Sequence, residues 1–193
     1  MRTITEEIFN ITELSEDAQE AAYQQWAEIE HSMFDSDFMK DDIITLGNCI
    51  GINIDQVLWS GFNSQGDGAC FTGDYEYNPN WKEKIESYAP TDETMIELGE
   101  ELSKIYDVYG THSITVIHDH FYYHENSVVI DTSSDDVDSQ AALDLIDPLL
   151  REFMKYSYTL LEKQYEYYLS KEVFIESSLA NEYEYYSNGK MYF

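Results

Sequence analysis

The sequence predicts an α+β fold: a small antiparallel sheet of about four strands, packed by helices on one face, with a long C-terminal helix. Three observations predict it. Apolar residues recur at helical spacing in four separate segments. Two strand-like runs lead into turn-forming residues and return as a second run. No internal repeat, and no linker that forces two domains, divides the 193 residues. The chain therefore reads as a single acidic α+β domain over 1–193, with 139–193 as a helical, Tyr- and Glu-rich C-terminal part.

Residues 1–13 read as extended, anchored by Ile4, Ile8, Phe9 and Ile11. A helix is predicted from Ser15, whose hydroxyl caps it while Glu16 and Asp17 sit at its positive end. Ala18, Ala22, Trp26 and Ile29 then share one face. Met39, Ile43, Leu46 and Ile50 predict a second helix over 36–49, with Gly51 as its stop. Residues 56–62 read as a strand, 63–68 as a turn, and 69–77 as the returning strand with Phe71, Tyr75 and Tyr77 on one face. Pro79 and Asn80 end it. A third helix is expected over 91–109, capped by Thr91, with Met95, Leu98, Leu102, Ile105 and Tyr109 as its stripe. Residues 113–121 and 127–131 predict a second strand pair about a turn near His124, Glu125 and Asn126. The polar, acidic stretch 133–139 leads into a helical region ending near Leu169. Asp147 and Pro148 read as the cap and first residue of its main segment. Leu149, Phe153, Leu160, Leu161 and Tyr168 support its buried face. Asn188-Gly189 predicts a final hairpin.

Charge is the dominant compositional feature: 39 acids against 10 bases, a formal net charge of -29. The excess is spread along the chain, with 22 acids and 4 bases over 1–100 and 17 and 6 over 101–193. With 43% hydrophobic and 15% aromatic residues, 17 of them Tyr, the chain has the material for a core. Acidity here belongs to a folded surface, not to a disordered tail. Such a field repels nucleic acid and anionic lipid and attracts basic protein surfaces. Cys49 and Cys70 form no CxxC pair and read as reduced core thiols. The N-terminus turns acidic at once and lacks an apolar signal region, and no stretch is long and apolar enough to span a membrane, so a cytoplasmic location is expected.

Motifs for chemistry are sparse. His112, His118, His120 and His124 crowd one segment, and on a regular strand His118 and His120 would share a face. With His124 they are candidate ligands for a transition metal. The alternative, a solvent-facing strand face carrying imidazoles, fits better, because no second ligand group of recognised spacing accompanies them. The 63–68 loop has glycines but lacks the lysine of a phosphate-binding loop, and reads as a tight hairpin with Gly66 and Gly68 at positive φ. Residues 131–138 resemble a calcium loop only faintly, since Asp136 stands where the central Gly belongs and Ala142 where the bidentate Glu belongs. Nucleophile motifs and basic patches are absent, so no enzyme activity, cofactor or direct nucleic-acid contact is expected. The pattern that points to a function is C-terminal. Glu162, Glu166, Tyr167, Glu172, Glu176, Glu182, Tyr183, Glu184 and Tyr185 are the candidate partner-binding residues. Tyr is a favoured interface residue, and ordered carboxylates can imitate the phosphates of a duplex. Equally open from pattern alone is a helix whose tyrosines pack on the core and whose acids are its solvated face.

The segment from Trp59 to Gly73, with its Ser64-Gln65-Gly66-Asp67-Gly68-Ala69 hairpin, resembles a motif of small acidic phage and prophage proteins often labelled antitoxin-like. The order of features is similar too: an opening Leu14-Ser15-Glu16-Asp17-Ala18, a His- and Tyr-rich run at 120–124, and an Asn181-Glu182-Tyr183-Glu184-Tyr185 ending. The resemblance implies a phage-encoded accessory protein acting inside a bacterial host cell. With the charge, it predicts an inhibitor that occupies a basic groove of a nucleic-acid-handling defence machine, of anti-CRISPR or anti-restriction type, as a DNA mimic. An antitoxin-like binder of a basic toxin is the alternative, and a metal-dependent enzyme built on the His cluster a third.

Overall fold

The computed structural model describes residues 6–192; the Ile4 anchor lies outside them. In chain order the elements are β1 (Ile8–Phe9), a 3-10 turn (Ile11–Glu13), α1 (Glu16–Glu30), α2 (Asp37–Ile50), β2 (Ile52–Trp59), β3 (Ala69–Tyr75), α3 (Trp81–Tyr88), α4 (Glu93–Tyr109), β4 (Ile114–His118), β5 (Val128–Thr132), α5 (Val137–Tyr168), α6 (Lys171–Ala180) and β6 (Tyr185–Tyr186). The fold is α+β, with a four-stranded antiparallel sheet and a long helix near the C-terminus. The chain forms two compact units, Ser36–Glu162 and the paired end segments Met1–Asp35 and Lys163–Phe193.

The larger unit holds the sheet, in the order β2-β3-β4-β5. Its core draws Ile43, Leu46 and Ile50 from α2, Leu98 and Leu102 from α4, and Leu150 and Phe153 from α5. Phe153 meets Phe71 of β3 edge-on, with ring centroids 5.9 Å apart. On β4 and β5 the side chains alternate: Ile114, Val116, Val128 and Ile130 are buried, while Ile117 and Val129 face outward. β2 carries an irregularity between Ile54 and Gln56 opposite Gly73. Gly73 sits at φ +146, and a Cβ there would lie 2.0 Å from the Asn53 carbonyl oxygen, so only glycine fits the bulge. Gly68 answers to a second loop rather than to its own turn: its φ is not positive, and a Cβ there would come within 2.6 Å of the His124 Cβ.

Several boundaries differ from expectation. The first strand of the sheet runs over Ile52–Trp59, because residues 60–62 lead into the loop where Asp67 Oδ2 accepts from the Asn63 and Ser64 amides. Asp92, not Thr91, caps α4, taking the Met95 amide at 3.0 Å. α3 is an element the periodicity did not predict. Pro148 lies inside α5 rather than at its start; the helix begins at Val137, where Asp136 accepts from the Ser139 amide.

The smaller unit is built around Ile11, Leu14, Ala18, Ala22, Trp26, Phe174 and Tyr185. Ser15 caps α1 and Ser170 caps α6 through their hydroxyls. β1 pairs antiparallel with β6, joining Ile8 to Tyr186 and Phe9 to Tyr185. The expected final hairpin is present: Gly189 turns at φ +83, and Tyr185 bridges to Met191.

Candidate functional site

The partner-binding residues expected from the sequence fall mainly on the smaller unit, and α6 divides them. Phe174 and Ser178, four residues apart, turn inward. Phe174 packs against Trp26 and Tyr23 of α1 at centroid distances of 5.4 and 5.7 Å. Half a turn away, Glu172 and Glu176 stand exposed one above the other. Glu182 follows the helix at φ +53, exposed, and Glu184 is exposed beyond it. Glu166 and Tyr167 are exposed near the end of α5. Glu162 is half-buried and belongs to the larger unit.

Two tyrosines of the set behave otherwise. Tyr183 is half-buried and packs on the small core. Tyr185 is a correction: it is fully buried, its hydroxyl is bonded to Ser178 Oγ at 2.8 Å, and burial pushes its phenol up. A side chain with no exposed surface cannot meet a partner, so Tyr185 is part of the core.

Beside this surface, α1 and α6 enclose a cleft of about 400 Å³ lined by Glu16, Asp17, Glu20, Tyr23, Lys171 and Phe174. Lys171 pairs with Glu20 and lies 5.5 Å over the Tyr23 ring. That hydrogen bond holds the Glu20 carboxyl below its ordinary value. Sequence reasoning missed the cleft because it missed α6; Ser170 ahead of Lys171-Glu172 was the available capping signal. The bases on the described part of this unit are Lys163, Lys171 and Lys190.

The histidines are not brought together as the strand expectation required. β4 ends at His118, so His120 lies in the irregular connection and the two do not share a strand face. His118 Nε2 lies 3.0 Å from the Tyr122 carbonyl oxygen, and His124 Nδ1 accepts from the Asn126 amide. His112 bridges the Tyr109 carbonyl and Ser139 Oγ. Among the described residues no group of three His, Cys, Asp or Glu side chains is placed to hold a metal ion. Both thiols are free and buried, and burial pushes Cys70 up to about 11, which leaves it unreactive near neutrality. Among the described residues no helix is long and apolar enough to cross a membrane.

A domain family described as a domain of unknown function, DUF8835, matches residues 36–171. No curated protein and no solved structure is significantly similar to the chain.

Proposed function

The chain belongs to the DUF8835 family, and we propose that it works as an acidic protein-binding inhibitor, occupying the basic groove of a nucleic-acid-handling protein as a mimic of DNA. The observation that carries this reading is the surface of the smaller unit: Glu166, Glu172, Glu176, Glu182 and Glu184 are exposed, beside an exposed Tyr167 and few bases. Glu172 and Glu176 repeat at about 6 Å along the helix axis. A duplex strand presents one phosphate per about 3.4 Å of axis, so a groove lined with Lys and Arg meets a row of negative charge at roughly half that density. Tyr167 supplies contact area with few rotors to freeze. The resemblance of the 59–73 segment to small acidic phage proteins extends the reading to a phage-encoded protein in the cytoplasm of a bacterial host. Its target there is a defence nuclease of CRISPR or restriction type.

The test starts with capture from a bacterial lysate, identification by mass spectrometry, and a binding assay with the purified target. Affinity should fall at least ten-fold between about 50 and 200 mM salt. Changing Glu166, Glu172, Glu176, Glu182 and Glu184 together to Lys should abolish both binding and inhibition. Full inhibition by that variant would refute mimicry, and capture of a small basic toxin would move the protein to the antitoxin-like reading.

A further inference from the structure

The larger unit exposes two neighbouring aromatic side chains, Phe121 and Tyr122, where acids are few. Over residues 108–132, through the end of β5, the only acids are Asp119, Glu125 and Asp131, and there is no Lys or Arg. Glu125 also lies 3.9 Å from the Lys155 ammonium. In the connection from β4 to β5, Phe121 is 98% exposed and Tyr122 66%. On the adjoining strands Ile117 and Val129 are cross-strand partners, and both point outward, 55% and 45% exposed. β5 stands at the end of the sheet order, and among the described residues it pairs with β4 alone. Sheet edges are ordinarily blunted by Lys, Pro or a bulge. Residues 127–132 contain no Lys and no Pro, and the β4–β5 register runs without a shift.

We propose that β5 pairs with the β5 of a second copy of this chain, antiparallel about a two-fold axis at Val129, to form a homodimer. An antiparallel edge is complementary to itself under a two-fold rotation. Placing Val129 opposite the second copy's Val129 sets Val128 opposite Ile130, both on the core-facing side. Asp131 then falls opposite Ser127, so no two carboxylates are opposed. The outward row becomes Ile117, Val129, Val129, Ile117 across four strands, a continuous apolar ribbon. The charge distribution selects a second copy over a basic partner. A chain of net charge -29 repels its own copy least, and attracts a cationic protein least, where acids are few. The proposal does not depend on the C-terminal carboxylates.

Sedimentation velocity on the full chain at low and high salt tests it. The mass should be twice the 22.5 kDa of one chain, with the dimer fraction rising as salt screens the repulsion. Val129→Glu, with unchanged circular dichroism, should return the single-chain mass. Val129→Cys should give a disulfide-linked dimer on mild oxidation, whereas Asp131→Cys should not; Cys49 and Cys70 are buried and stay silent. A single-chain mass at every salt and protein concentration overturns the proposal. So does a doubled mass retained by Val129→Glu, or cross-linking through Asp131→Cys in place of Val129→Cys.

Discussion

At Asp136 one carboxylate organises the entry to the longest helix. It accepts from the Ser139 amide at 2.9 Å, from Ser139 Oγ at 2.6 Å and from Ser134 Oγ. The serine hydroxyls, Ser134 first, hold its carboxyl well below the usual carboxylate range. A depressed folded value means that the stabilisation is complete above the ordinary aspartate value of about 4 and is lost as pH falls below it. Thermal melts of the wild type and Asp136→Asn should therefore differ at pH 7 and converge on acidification. A gap that stays constant to low pH would sink this account. Gly99 tests packing rather than charge. A Cβ there would lie 2.2 Å from Trp81 Cε3, against the ring that fixes α3 on α4. Gly99→Ala should lower the urea midpoint by the equivalent of about 1–3 kcal/mol, at unchanged m-value.

α5 is the element with a built-in flaw. Pro148 is exposed in its interior and has no amide hydrogen to give the Asp144 carbonyl. Pro148→Ala should stabilise the protein by up to about 3 kcal/mol, read from denaturant melts. No gain, or a loss, would show that the proline fixes a bend the fold uses. The same proline misled the reading of the sequence, since its local preference for a helix start is outweighed by Ala142, Leu143 and Ile146, which are buried ahead of it. Where local signals and burial agree, the fold was legible: Ser15 caps α1, Gly51 ends α2 at φ +92, and Gly189 turns the last hairpin. α3 was not, because two turns carrying only Trp81 and Ile85 as buried residues are too short to show a period. α6 was hidden for a similar reason, its inward face being one aromatic and one serine. The acidic face of the candidate site was legible as a row of Glu. That Tyr185 leaves the row was not, because its place depends on pairing with β1, at the far end of the sequence, as well as on Ser178 of α6, which was not predicted.

Across the molecule the acids act together. A net charge of -29 destabilises the compact state by self-repulsion, so added salt should raise the melting temperature steadily over the range in which the Debye length shrinks below about 10 Å. A melting temperature indifferent to salt would show that the carboxylates are too well spaced to repel. Burial raises the Tyr75 and Tyr156 phenols, and burial with the Glu30 hydrogen bond pushes Tyr168 up to about 12. A raised folded value gives stability that is complete below the ordinary phenol value of about 10 and is lost as pH rises through the folded one. The part of the phenolate absorbance that belongs to Tyr75, Tyr156 and Tyr168 should therefore appear late on alkaline titration and coincide with the loss of ellipticity. The division of the chain also has a temporal side. The smaller unit joins Met1–Asp35 to Lys163–Phe193, so on the ribosome its first half is made long before its second. The stripe of Ala18, Ala22 and Trp26 has to wait for Phe174 and Tyr185 while the whole of Ser36–Glu162 emerges and can fold. Closure of the smaller unit is then a later event than folding of the larger one, and its first half stays open to chaperone capture until residues 163–193 have left the ribosome.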